Sequence, residues 1–223
     1  MNGAASNDFM KRILIRVMFA LIAFVLGIAS AAVWIKRPSA ISDPKPPGNC
    51  APHYDENVIA KNLREDDDPQ LFSAFQELPL SALPDCVDEA YSLTWIPAFD
   101  SPVLVEVWHS GDQAFMVAKR LDTKGWSKFG TVKEVNSRPL TNFEWRDFKD
   151  LLNRTSYWEL SSTVDEIIPQ DGAVWIIDGL RSRKFHSVRR RVPNESYAEI
   201  CKHLIRLSGL ETAHALYLHG VMN

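Results

Sequence analysis

The sequence from Tyr91 to Arg120 reads YSLTWIPAFDSPVLVEVWHSGDQAFMVAKR. It contains three runs in which apolar side chains recur at every second position, as they do in a strand that buries one face. The predicted strands are Tyr91–Ile96, Val103–His109 and Ala114–Arg120. The stretch His109-Ser110-Gly111-Asp112 between the last two is typical of a tight turn. We therefore predict an antiparallel sheet built on this region.

Two later segments have the three- and four-residue spacing of amphipathic helices. The first begins at Thr141, where Glu144 completes a capping-box pattern, and runs to about Arg154. The second begins near Asn194 and ends at Gly209, because glycine commonly stops a helix. The remaining predicted elements are a weak strand Thr131–Val135, a strand Ala173–Asp178, a turn Gly179–Ser182 and a strand Lys184–Arg191. Together they predict an α+β fold, mainly antiparallel sheet with a few packed helices.

An uncharged apolar run, Val17–Ile35, precedes the globular part and has lysines and arginines on both sides. As a helix it spans roughly 28 Å at about 1.5 Å per residue, close to the hydrocarbon thickness of a bilayer. We predict a transmembrane signal-anchor over residues 13–35, after a short cytoplasmic tail of residues 1–12. A signal peptide cleaved near Ala29-Ser30-Ala31 is the alternative. Under both interpretations, the rest of the chain is exported from the cytoplasm.

Five prolines lie between Arg37 and Pro52. Because proline is incompatible with regular helix, residues 36–52 are predicted to form an extended stalk. Residues 53–223 then form the extracytoplasmic domain. Composition agrees with a globular domain, since 46% of the residues are hydrophobic and 24% charged. The sequence thus predicts a single-pass membrane protein of the cell envelope, in contact with the lipid bilayer through residues 13–35.

The chain has three cysteines, Cys50, Cys86 and Cys201. They are too few and too scattered for a disulfide framework or for a zinc site of the CxxC kind. In an oxidising compartment Cys50 and Cys86 are expected to pair, which leaves Cys201 buried on a helix. Three unpaired thiols are the alternative.

Basic residues crowd the second predicted hairpin, whose sequence from residue 181 to 191 is RSRKFHSVRRR. They are Arg181, Arg183, Lys184, Arg189, Arg190 and Arg191. Such a patch suits an anionic polymer, an anionic lipid surface or an acidic protein partner. Strand alternation, however, sends Lys184 and Arg190 to one face and Arg183, Arg189 and Arg191 to the opposite face. Charged edge strands also prevent sheet-to-sheet aggregation without any ligand, so a binding site and a plain edge strand both stay open.

Enzymatic motifs are absent from the sequence. The six histidines have no metal-binding spacing such as HxxxH or HExxH, and the glycines form no phosphate loop, so no metal, cofactor or nucleic-acid partner is predicted. A hydrolase arrangement of Ser110, His186 and Asp178 can be written, but Ser110 lies in HSGD and not in a GxSxG elbow. The main hypothesis is a non-enzymatic binding or interaction module. The alternative is an envelope hydrolase that uses His109 or His186 as general base.

Four stretches between Leu140 and Leu210 carry a resemblance. They are LTNFEWRDFKDLL (140–152), YWEL (157–160), DGAVWIIDGLRSRKFHSV (171–188) and EICKHLIRL (199–207). This part, about a third of the chain, resembles a group of uncharacterised bacterial exported or membrane-anchored proteins. That group has no established activity, so the resemblance implies a bacterial origin and an α+β fold but no catalytic residue.

Overall fold

The computed structural model describes residues 68–123, 129–163 and 172–210, all of which belong to the unit Asp43–Asn223. The strands are β1 (Glu89–Pro97), β2 (Val103–Ser110), β3 (Gln113–Leu121), β4 (Val132–Leu140), β5 (Ala173–Arg181) and β6 (Lys184–Arg190). The helices are α1 (Pro69–Phe75), α2 (Asn142–Arg154) and α3 (Glu195–Ser208), and two 3-10 turns cover Leu80–Ala82 and Tyr157–Glu159. The predicted tail, signal-anchor and stalk lie outside the described residues. Within the described part, none of the helices combines the length and apolar character that crossing a bilayer requires.

The six strands form one antiparallel sheet in the order β4-β3-β2-β1-β5-β6. This sheet and the three helices confirm the predicted α+β fold. The β2–β3 turn has Gly111 at φ 59°, in the left-handed region that glycine tolerates. The β4 strand runs five residues beyond its predicted end at Val135, to Leu140. Pro139 is accommodated there because β4 is an edge strand.

The predicted turn Gly179–Ser182 is correct only at Ser182, because Gly179 and the next two residues lie inside β5. The chain turns instead at Ser182 and Arg183, both of which have positive φ. Gly179 is required for packing rather than for turning. A Cβ at this position would lie 2.8 Å from Cε1 of Tyr157 and 3.0 Å from Cε1 of Tyr91. Glycine therefore lets two aromatic rings lie directly on the strand.

One face of the sheet, here called the helical face, is covered by α2 and α3. The largest apolar cluster lies there and includes Tyr91 and Trp95 of β1. Tyr197 of α3 is buried in it, and its hydroxyl lies 3.1 Å from the carbonyl oxygen of Trp175 and 2.8 Å from that of Val188. A buried phenol needs such partners. These contacts fix α3 against β5 and β6.

The opposite face is covered by residues 68–88, here called the strap, and is named the strap face. The strap makes two apolar clusters with the sheet, one through Leu71 and Phe75 and the other through Leu80. Between these clusters lies a row of buried polar side chains. They are Ser92, Thr94, Glu106 and Asp178. The sequence analysis identified neither the strap nor this polar row.

The N-terminus of α2 has the predicted capping box. Thr141 Oγ1 accepts a hydrogen bond from the Glu144 amide at 3.2 Å, and the Thr141 amide donates to Glu144 Oε2 at 2.8 Å. Hydrogen bonds from Arg138 and then from Thr141 lower the pKa of Glu144 to about 2. The carboxylate is therefore charged at neutral pH. Its negative charge also interacts favourably with the positive end of the helix dipole.

Thr141→Ala is expected to lower the free energy of unfolding by about 1 kcal/mol, because it removes the side-chain acceptor of the cap. Urea denaturation followed by circular dichroism measures this change. Asn142→Ala, one position later on the exposed surface, is the control and is expected to change stability by less than about 0.5 kcal/mol. Equal losses in the two variants would contradict the capping role of Thr141.

Candidate binding site at the β5–β6 hairpin

Arg190, one of the six predicted binding residues, is buried on the helical face and is only 5% exposed. Its guanidinium donates hydrogen bonds to the carbonyl oxygens of Ser161 at 2.7 Å, Ser162 at 3.3 Å and Arg189 at 2.7 Å. It also lies 5.6 Å from the ring centroid of Tyr197. These contacts join the edge strand β6 to residues 161 and 162 and give Arg190 a structural role.

Three other predicted residues lie apart from one another. Arg183, in the hairpin turn, makes a 2.8 Å ion pair with Asp85, and both side chains are largely exposed. Such an exposed pair contributes little stability. Arg189 is exposed on the strap face, since it pairs with Ile176, and Arg191 follows the far end of β6. The structure therefore does not bring the six bases together.

Arg181 and Lys184 are the two bases that the structure does place side by side. They are direct cross-strand partners in the β5–β6 register, and both are exposed. The guanidinium of Arg181 lies over the ring of Trp158, 4.5 Å from its centroid. Neither basic side chain has a hydrogen bond or ion pair within the described part of the chain. Like charges directly opposite each other destabilise a sheet, so this pair is unfavourable unless something negative accompanies it.

The nearest carboxylate in the same row of the sheet is that of Glu89, the β1 partner of Arg181. Glu89 accepts a hydrogen bond from the Tyr91 hydroxyl and forms an ion pair with Lys149. Burial, reinforced by the hydrogen bond to Glu89, raises the pKa of Tyr91 well above its usual range, so the phenol remains a donor. The negative charge of Glu89 is thus already shared with a lysine and a hydroxyl.

His109, one of the two predicted general bases, lies on the other side of Glu89 in the same row. Its ring stacks on Trp145 with centroids 5.3 Å apart and planes 12° apart. Its Nδ1 is 3.8 Å from Oδ2 of Asp88, and the side chain is 27% exposed. The imidazole is therefore within reach of solvent and of one carboxylate.

His186, the other predicted base, is packed against the rings of Tyr157 and Trp158, and its Nε2 is buried. The arrangement of His186 with Ser110 and Asp178 is wrong. His186 lies on the helical face, whereas the other two side chains lie on the strap face, because strand alternation sends them to opposite sides. Ser110 Oγ instead donates a 2.8 Å hydrogen bond to the carbonyl oxygen of Cys86.

The cysteines differ in their environments. Cys201 is a free thiol buried on α3, as expected, and burial raises its pKa. Cys86 is disulfide-bonded. The predicted partner, Cys50, lies outside the described residues, so the Cys50–Cys86 pairing stays a prediction.

Trp158 is the member of the site whose contact with Arg181 the sequence analysis did not predict. It lies on the 3-10 turn Tyr157–Glu159, which the YWEL stretch forms between α2 and β5. No local pattern relates residue 158 to residue 181, because their contact depends on how this turn returns to the sheet. The only sequence signal was the aromatic pair Tyr157-Trp158 next to a predicted helix.

Among the described residues, no group of three or more histidine, cysteine, aspartate or glutamate side chains is arranged to hold a metal ion. No protein-family model, curated protein or solved structure matches the chain. The resemblance to exported bacterial proteins therefore stays a prediction. A function is therefore inferred below from the positions and contacts of the side chains themselves.

Proposed function

We propose that the chain is a membrane-anchored protein of the bacterial cell envelope whose exported α+β domain is a non-enzymatic binding module for an anionic partner. The observation that carries the proposal is the exposed pair Arg181 and Lys184. These like charges lie opposite each other, and neither has an ion pair or hydrogen bond with any residue that the structure describes. A negatively charged partner relieves their repulsion and gains two charge-assisted contacts.

Two independent features support export of the domain. The apolar run Val17–Ile35 has the length and the basic flanks of a signal-anchor. The disulfide bond of Cys86 suits an oxidising compartment outside the cytoplasm, since cytosolic thiols are kept reduced. The lipid bilayer is then the partner of residues 13–35, and the anionic partner is bound by the domain.

The proposed contact surface is smaller than the sequence alone suggested. It consists of Arg181, Lys184 and the turn residue Arg183, with Trp158 beneath Arg181. Arg190 is omitted because its donors are used by backbone carbonyl oxygens. Three neighbouring bases at one end of the sheet are sufficient to select a negative partner and to exclude a positive one.

Charge reversal at the site is the direct test. The test uses in-cell crosslinking, capture of the full-length, C-terminally tagged protein and mass spectrometry. The double variant Arg181→Glu/Lys184→Glu is expected to capture at least tenfold less partner than the wild type does. The physical reason is that two attractions become two repulsions at the contact. Capture by the wild type in lysate is also expected to weaken as salt is raised.

The matched control is Arg189→Glu/Arg206→Glu, which makes the same change in net charge at two exposed positions away from the hairpin end. Its capture is expected to stay within twofold of the wild type, and circular dichroism confirms that both variants are folded. Equal loss in the two variants would assign the effect to overall charge. If both variants capture as much partner as the wild type, Arg181 and Lys184 are not the binding site.

A hydrolase with His109 as general base is the second candidate. The observation that favours it is the imidazole–carboxylate pair of His109 and Asp88 at the edge of the same end of the sheet. Their atoms are 3.8 Å apart, and a shortening to about 3 Å would orient the ring for proton transfer. Hydrolysis of chromogenic esters or amides that is lost in His109→Gln would replace the binding proposal.

A further inference from the structure

We propose that Arg181 and Lys184 together bind one phosphate group of the partner. This inference rests on the proposed binding function and names the ligand chemistry of the same site. The phosphate belongs either to a lipid headgroup or to a soluble phosphorylated molecule. Both sources present the same tetrahedral anion.

The spacing of the two bases suits a single anion. Side chains directly opposite on neighbouring antiparallel strands have Cβ atoms about 4.5 to 5.5 Å apart, and Arg181 and Lys184 occupy such positions. Their side chains are long and flexible, so both charged ends can reach the same small anion. An anion held between them turns the repulsion of the pair into two attractions.

Phosphate matches the donors better than carboxylate does. The guanidinium of Arg181 is a planar fork that donates two parallel hydrogen bonds to two oxygens of one anion. A carboxylate has no third oxygen for the ammonium of Lys184. A phosphate has one, so all three contacts form at once. The combination of a fork and a point charge therefore favours the tetrahedral anion.

Trp158 holds the guanidinium in place before a ligand arrives. The ring of Trp158 is itself fixed by edge contacts with Tyr91, at 6.0 Å, and with Tyr157, at 5.4 Å between centroids. The guanidinium carbon of Arg181 lies over this ring, 4.5 Å from its centroid. A cation–π contact uses the ring face and no acceptor atom, so it satisfies none of the guanidinium N–H donors. Less side-chain entropy is lost on binding than for a freely rotating arginine.

Carboxylates of the described chain do not occupy this position. Glu89 is engaged by Lys149 and by the Tyr91 hydroxyl, and Asp85 is engaged by Arg183. The site therefore carries uncompensated positive charge that an external anion can neutralise. This arrangement distinguishes Arg181 from the buried Arg190, whose two terminal guanidinium nitrogens donate to backbone carbonyl oxygens.

The test uses the full-length protein in nanodiscs of phosphatidylcholine, with inorganic phosphate as the probe and acetate at equal ionic strength as the comparison. In titration calorimetry, phosphate is expected to bind with a dissociation constant in the millimolar range or below, and acetate at least fivefold more weakly. Arg181→Lys keeps the charge but removes the fork, and is expected to lower the affinity for phosphate at least fivefold. Lys184→Gln is expected to lower this affinity severalfold. Arg189→Gln is the control, and its affinity is expected to equal that of the wild type.

The source of the phosphate is determined by mixing the same nanodiscs with vesicles containing phosphatidic acid. Flotation with these vesicles that is lost in Arg181→Lys identifies a lipid headgroup. Binding of inorganic phosphate without flotation identifies a soluble phosphorylated ligand. Each result supports the phosphate site.

Acetate binding as tight as phosphate binding would overturn the inference, as would equal phosphate affinity in wild type and Arg181→Lys. If phosphate fails in this way while the Arg181→Glu/Lys184→Glu variant still loses its captured partner, the binding function stands and only the ligand chemistry is wrong. If both experiments fail, the site itself is wrong.

Discussion

Arg190→Ala is expected to lower the free energy of unfolding by about 3 kcal/mol. Hydrogen bonds to a charged group contribute about 1.5 to 3 kcal/mol each, and the desolvation cost of the buried cation, which the variant no longer has, offsets part of their sum. The substitution leaves the carbonyl oxygens of Ser161 and Ser162 without the guanidinium that now reaches them. It also removes the cation from the ring of Tyr197. Guanidinium chloride denaturation at neutral pH measures the loss.

Arg189→Ala is the matched control, since it is the preceding residue, carries the same charge and is exposed on the opposite face. It is expected to change stability by less than about 0.5 kcal/mol. In native-state hydrogen exchange, Arg190→Ala is expected to deprotect β6 first, because the Ser162 carbonyl also accepts a hydrogen bond from the Arg189 amide. Similar small losses in both variants would show that the buried guanidinium has little structural importance.

The contrast between Arg189 and Arg190 shows how far the sequence could predict the site. Strand alternation correctly separated Arg190 from Arg189, because the side-chain period of a strand is two. It could not predict which of the two faces becomes covered at an edge strand. That depends on residues 161 and 162, which lie in an irregular segment with no periodic signal.

The fold was predictable where local periodicity was strong and unpredictable where tertiary contact decides. The hairpin of β2 and β3 and the capped helix α2 follow from alternation, turn residues and a cap, all of which are local. Gly179 was assigned to a turn because glycine favours turns. Its actual role is to admit the rings of Tyr157 and Tyr91, and the positions of these rings are set by the whole fold.

The strap face carries the second large expected effect, centred on Glu106. This side chain is only 4% exposed, and its Oε1 has no hydrogen-bond partner within the described residues. The charged groups that face it are Glu77 on the strap, Lys119 on β3 and Asp178 on β5. Burial first, and then the carboxylate of Glu77, raise the pKa of Glu106 well above its ordinary value, although Lys119 opposes the shift.

A carboxyl group whose folded-state pKa is raised stabilises the fold fully below its unfolded pKa, near 4.3, and progressively less as the pH rises through the folded value. The reason is that the unfolded chain releases the proton earlier than the folded chain does. Each pH unit between the two pKa values removes about 1.4 kcal/mol. Lys119 limits this loss but is also bound to Glu77 at 2.6 Å and to the carbonyl oxygen of Phe75 at 2.9 Å.

Glu106→Gln keeps the shape of the side chain and removes its titration. Its stability relative to the wild type is therefore expected to increase with pH, from little difference near pH 4 to a clear advantage at pH 8. Thermal and urea unfolding at each pH measure the two slopes. Glu134→Gln, at a partly exposed carboxylate paired with Arg120, is the control and is expected to show no such increasing advantage. Parallel stability curves for wild type and Glu106→Gln would mean that Glu106 is already ionised in the fold, and that Lys119 and the surrounding hydroxyl groups stabilise its charge despite burial.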